Sequence, residues 1–186
     1  MQGAAPVALM TRSVANQRII QQVHGILARE DVRFALSADR ESFLVPVPHG
    51  SAAVLIDFHP WGRGQTMISL RSEVLVDVEV TEESRLQILE HLNALNQSSL
   101  FGRFYLDADR STIVLRHDLL GDELQADELI NALYTVGLLA DQTDDELMHE
   151  IGTGIRASDA AGREGPVVEF FDDSTPAWQG LTPITR

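Results

Sequence analysis

Hydrophobic residues in this chain change their spacing from three-and-four to two and back again, which narrows the architectures open to it. Between Val14 and Glu30, the residues Ile19, Ile20, Val23, Ile26 and Leu27 form one helical stripe. Ser13 stands before it as an N-cap, and Gln17, Arg18, Gln21 and Gln22 form the solvated face. From Arg33 the period is two. Phe43, Val45 and Val47 alternate with Leu44 and Pro46, and the prolines at 46 and 48 suggest an edge strand or its frayed end. Val54, Ile56 and Phe58 share one face of a strand expected to stop at His59-Pro60-Trp61-Gly62. Ile68, Leu70, Val74, Val76, Val78 and Val80 keep even positions apolar, which predicts a long antiparallel strand bent near Arg71-Ser72.

The helical period then returns. Thr81 followed by Glu82 and Glu83 reads as a cap with acids at the positive end of a helix dipole, and Ile88, Leu89, Leu92 and Leu95 give that helix its stripe to about Asn96. Phe104 and Leu106, the turn Asp107-Ala108-Asp109-Arg110, and Ile113 with Leu115 predict a hairpin. Leu129, Leu133, Val136 and Ala140, then Leu147 and Ile151, predict a last helix, bent or divided near Asp141-Gln142-Thr143 and stopped by Gly152-Thr153-Gly154. Helix, strands, helix, two strands, helix is the order of an α+β domain with helices packed on an antiparallel sheet. The expected organisation is a flexible N-terminus over 1–13, one domain over 14–152 and a flexible acidic tail over 153–186.

Chemistry is limited by what the chain lacks. All 14 basic residues are Arg and there is no Cys, so no lysine Schiff base, P-loop lysine, thiolate nucleophile or zinc-thiolate site can exist. The net charge of −14 disfavours nucleic acid and anionic membrane and favours a protein or peptide client. No signal peptide or stretch of about 20 apolar residues is present, so a cytoplasmic location is expected.

Three motifs have simpler readings. Gly152-Thr153-Gly154-Ile155-Arg156-Ala157 has the letters of a dinucleotide loop but follows a helix instead of a strand, so it reads as a helix stop. Asp107, Asp109 and Ser111 begin like a calcium loop, yet Thr112 and Asp118 replace its Gly and Glu, so they read as a hairpin turn. Asp141, Asp144, Asp145, Glu146, His149 and Glu150 form an acidic patch, the basis of an alternative reading as a metal-dependent or acid–base enzyme. The solvated face of a terminal helix explains them as well. No catalytic, cofactor-binding or metal residue is assigned.

The run Leu92-Asn93-Ala94-Leu95-Asn96, followed by Gly102-Arg103-Phe104-Tyr105-Leu106-Asp107 and Thr112-Ile113-Val114-Leu115, resembles the YbjN family, as does the helix from Leu129 to Leu147 with Ala140-Asp141 inside it. The resemblance spans roughly residues 14 to 152. It implies a fold like that of type III secretion chaperones, which are small, acidic, often dimeric α+β proteins that bind extended stretches of clients. Other members are described as stress or sensory regulators, and no catalytic residue carries over. The expectation is therefore a non-enzymatic chaperone-like or regulatory protein, homodimeric and without a cofactor. Its candidate partner-binding residues are Phe43, Val45 and Val47 on the edge strand and Phe170, Phe171 and Trp178 in the tail.

Overall fold

The structure is a computed structural model that describes residues 6–37, 40–48, 50–160 and 171–172, with side chains described from Asn16 onward except for 171–172. Its elements are helix α1 (Pro6–Arg29), strands β1 (Ala35–Leu36), β2 (Phe43–Pro46), β3 (Ala53–Trp61) and β4 (Gln65–Val76), helix α2 (Glu82–Ser98), strands β5 (Arg103–Asp107) and β6 (Thr112–Leu120), helix α3 (Ala126–Ile151), strand β7 (Ile155–Arg156), the short helix α4 (Ala157–Ala160) and strand β8 (Phe171–Asp172). The strands form one sheet in the order β5-β6-β4-β3-β2-β1-β8, and β7 adds to β4. Every pairing is antiparallel. This is the α+β architecture with helices on an antiparallel sheet that the periodicity predicts.

The core lies on one face of that sheet. Cross-strand register places Phe43 beside Ile56, Ile56 beside Leu70, and Leu115 beside Phe104. All are buried and join Ile19, Val23 and Leu27 of α1, Ile88 and Leu92 of α2, and Leu129, Leu133 and Val136 of α3. Burying each large apolar side chain stabilises the fold by about 1.5–3 kcal/mol, which is why the stripes and the alternation fix the same interior.

Several boundaries differ from the sequence reading. α1 begins at Pro6, so Ser13 lies within the helix and not at its N-cap position; proline suits a first helical position because its missing N–H has no partner there. β3 runs through Pro60 to Trp61. Pro60 opposes Thr66, whose N–H and C=O are bonded on the far side to Asp122 and Gly121, so this pair needs no donor from the proline. β4 is unbroken from 65 to 76, with its irregularity between Glu73 and Leu75 and not at Arg71-Ser72. The bulge puts Val74 and Leu75 both into the interior, and the strand ends before Asp77, whose φ of 54° breaks the extended run. Leu89 lies off the buried stripe of α2 and is exposed. α3 is one helix through Asp141-Gln142-Thr143 and stops at Gly152, which is left-handed at φ 73° and donates to the Met148 carbonyl. Beyond it, where a flexible tail is expected, Ile155 and Arg156 pair with Val76 and Leu75. Gly154 makes this possible, because a Cβ there would press on Val78 and the Val76 carbonyl.

Candidate functional site

A sheet that is not closed has two ends, and each presents a row of backbone donors and acceptors unless something covers it. The two ends here are treated differently.

At one end, β5 pairs among the described residues only with β6. The α2 residue Asn96 lies against it: its Nδ2 donates to the Phe104 carbonyl at 2.9 Å, and its Oδ1 accepts the Phe104 N–H at 2.7 Å. The side-chain amide thus makes the pair of bonds a neighbouring strand residue would make. Thr81 starts α2 with a reciprocal capping box to Ser84, and Ile88 and Leu92 bury its inner face, so the amide is held by a rigid element.

At the other end, α1 leads through Asp31, left-handed at φ 53°, into the two-residue strand β1. Ala35 and Leu36 pair with Leu44 and Phe43 of β2. The connecting turn is organised by Ser37, whose Oγ accepts the N–H groups of Glu41 and Ser42 at 3.2 and 3.0 Å. An aromatic chain fixes this end from the core side: His24 to Phe34 at 5.4 Å, Phe34 to Phe43 at 5.6 Å and Phe43 to Phe58 at 5.9 Å between centroids, the three pairs near edge-to-face.

Proline chemistry shapes the same end. Val47 donates its N–H to Ala52 on the β3 side, so by strand alternation the Pro46 nitrogen faces outward, beyond the reach of β1. Pairing on β2 from the β1 side therefore covers only Phe43 and Leu44. The outer edge of β1 carries β8: Ala35 opposes Asp172 and Leu36 opposes Phe171. Among the described residues β2 is thus an inner strand over its first half and unpaired on the β1 side beyond Leu44, so the prolines mark the end of the strand and not an edge along its whole length.

The candidate partner-binding residues separate on this framework. Phe43 and Val45 are 0% and 1% exposed, so their side chains belong to the core and offer a partner nothing directly. Val47 is half-buried against Gly137 of α3, where even a methyl would come within 2.0 Å of its Cγ2. Phe171 lies in β8; Phe170 and Trp178 lie outside the described residues. Sequence reasoning missed Ala35, Leu36 and Asn96. Asn96 was inside a motif noticed for its resemblance, but its contact with Phe104 depends on tertiary placement.

The acidic patch is engaged locally. Asp141 accepts from the Ser51 N–H at 2.8 Å and the Ser51 hydroxyl at 2.6 Å, which holds the β2–β3 connection to α3; these bonds lower its pKa. Asp145 pairs with Arg156 of β7, with Asp144 and Asp159 also near that guanidinium. Burial pushes the Asp144 carboxyl up, assisted by the charges of Asp145 and Asp141 and opposed by Arg156. The depression between Ser51, Ala140, Asp141 and Ser158 has a cavity of about 10 Å³, room for about one water. No group of three His, Asp or Glu side chains suited to a metal occurs among the described residues.

The face of the sheet opposite the core is polar in an ordered way. Arg71, Arg116 and Arg103 lie side by side across β4, β6 and β5. Arg71 pairs with Asp57, Arg116 with Asp118 at 2.8 Å, and Arg103 donates to the Gly102 carbonyl. The Arg71–Asp57 pair braces β4 to β3, the Arg116–Asp118 pair lies within β6, and the two carboxylates offset two of the three guanidinium charges.

Helices covering one face of an antiparallel sheet, with a side-chain amide bonded to Phe104 at one end and a two-residue strand on β1 at the other, define an α+β fold of the helix-on-sheet class. Residues 17–158 match the model of the family described as T3SS (YopN, CesT) and YbjN peptide-binding chaperone 1, and the chain belongs to that family. Among solved structures, the crystal structure of E. coli YbjN matches with a TM-score of 0.53 at 14% identity, covering 74% of this chain and 96% of that one, a likeness of fold. No curated protein sequence matches. No helix among the described residues is long and apolar enough to cross a membrane.

Proposed function

We propose that this protein is a non-enzymatic, chaperone-like or regulatory binding protein that takes an extended segment of a protein client at the β1–β2 end of its sheet. The observation that carries the reading is the contrast between ends: Asn96 takes both backbone groups of Phe104 in the middle of β5, whereas β1 pairs on its outer side with another extended segment. Strand addition draws affinity from main-chain hydrogen bonds, which tolerate varied client sequences, and specificity from alternate side chains. Family membership supports a peptide partner. The bonds committed to Ser51 and Arg156 speak against the alternative of an acidic-patch enzyme.

Self-association belongs to the same proposal. Leu86, Leu89, Leu100 and Phe101, exposed on α2 and at its exit, supply apolar surface for a homodimer; sedimentation of the full chain as a monomer throughout the micromolar range would remove it.

The client reading is tested by photo-crosslinking in cells, with a benzophenone amino acid at position 35 or at position 105 of β5. A client trapped at 35 and not at 105 is expected. Trapping at 105 alone, or equally at both, would overturn the assignment of the binding end.

A further inference from the structure

We propose that the C-terminal segment around Phe171–Asp172 is an internal occupant of the client-binding end, so that a client must displace it to bind. The inference rests on reading β1 as the strand that receives clients, and adds a regulatory element within the same chain.

Its basis is register. Phe171 and Asp172 lie antiparallel to Leu36 and Ala35 on the side of β1 away from β2, where an incoming extended segment would form its own ladder. They are the last strand in the chain but the outermost in the sheet. A two-residue pairing buries little and is weak, in keeping with a segment that yields to a longer client ladder.

The covalent geometry allows both states. β7 joins the end of β4 that projects past β3, because β4 pairs with β3 only as far as Arg71 while β7 pairs with Leu75 and Val76. From there to the outer side of β1 is about three strand spacings across the sheet, roughly 14 Å, and about five residues along the strands, roughly 16 Å, because β8 lies level with Leu70 and Arg71, or about 22 Å in all. Ten residues, 161–170, separate α4 from β8, and ten residues extend to about 33–36 Å. Ten residues can thus reach from α4 to β8 with length to spare. Tethering holds the segment at an effective concentration on the order of millimolar, so a free peptide competes poorly until the internal strand is disabled.

The surrounding sequence has the character of a strand-adding ligand. Val167-Val168-Glu169-Phe170-Phe171-Asp172 combines β-branched and aromatic residues with acids, and no proline interrupts it between Pro166 and Pro176.

The absence of cysteine makes a direct test available. Opposed antiparallel residues have Cα atoms about 4.5–5.5 Å apart, within the span of a disulfide, so the full-length double variant A35C/D172C can be locked by oxidation and released by reductant. The probe is a fluorescein-labelled synthetic peptide of residues 166–176, followed by anisotropy against the full chain. The oxidised variant is expected to bind it at least tenfold more weakly than the reduced one. The full-length variant F171P/D172P, which lacks both β8 backbone donors, is expected to bind it at least tenfold more tightly than the unsubstituted chain, with an unchanged melting temperature as the folding control.

Equal affinity of oxidised and reduced forms would overturn the proposal, as would a disulfide that joins two chains and not one, or a probe that binds none of the forms. The client reading is judged separately, by crosslinking at position 35 repeated in F171P/D172P. A client trapped there while the locked and released forms bind the probe alike would leave that reading standing and sink this one.

Discussion

The two ends of the sheet solve one problem by unlike means. At β5, one side chain eight residues away in sequence supplies both a donor and an acceptor to Phe104. At β1, the covering group is backbone from the far end of the chain, and it covers two residues. A side chain held by a packed helix leaves only if the helix moves, whereas a two-residue strand has few bonds holding it in place. The difference teaches that an edge is protected or available according to what covers it, since the strands themselves have the same backbone chemistry.

The largest expected effect separates core from contact at the β1 end. Phe43→Ala removes the central ring of the aromatic chain and is expected to cost about 3–5 kcal/mol in chemical denaturation. A cost under about 1 kcal/mol would mean that Phe43 is not the anchor of this end. Next is the sealed end. Asn96→Leu strands the buried N–H and C=O of Phe104 and should cost about 2–3 kcal/mol. The same substitution should produce crosslinking at position 105, making the ends alike; if crosslinking stays confined to position 35, Asn96 is not what seals β5.

Gly137→Ala tests how β2 leaves the sheet past Pro46. Its new methyl meets Val47 Cγ2, and the overlap should destabilise by about 2 kcal/mol. Val47→Ala in the same chain should restore part of that loss, and a double variant no better than the single one would show that the strain lies elsewhere. The smallest effect concerns Asp141. Its pKa is lowered by the Ser51 bonds, so the folded state holds this proton less tightly than the unfolded chain. The stabilisation is present at neutral pH and is lost as pH falls through the ordinary carboxylate range and below. Partly open to solvent, the group is worth about 1 kcal/mol at pH 7 after solvent screening. Thermal melts of Asp141→Asn and the unsubstituted chain should therefore differ at pH 7 and converge at low pH; a gap that persists under acid would assign the effect to packing.

Much of the architecture was legible because it follows from local period. Ile19, Val23 and Leu27 on one stripe, and Val54 and Ile56 on one strand face, went where their spacing sent them. Thr81 capped α2 and Gly152 ended α3, since capping chemistry is local. The misreadings arose where a distant partner intervened. Pro60 looked like a terminator, yet Thr66 turns its polar groups toward Gly121 and Asp122 and lets the strand pass. The partners of Asp141, Asp144 and Asp145, namely Ser51 and Arg156, likewise lie on other elements, where no local spacing points to them.

By itself the sequence determined the class: the order of elements, the face of each that must be buried, and the chemistry denied by having no Lys and no Cys. Those follow from side-chain spacing and identity, which each segment carries wherever it is placed. Only the tertiary structure decided that Asn96 meets Phe104, that Phe43 and Val45 face inward, and that Phe171–Asp172 lies on β1. Each of these joins residues whose meeting depends on how separate elements pack, and no local period encodes that.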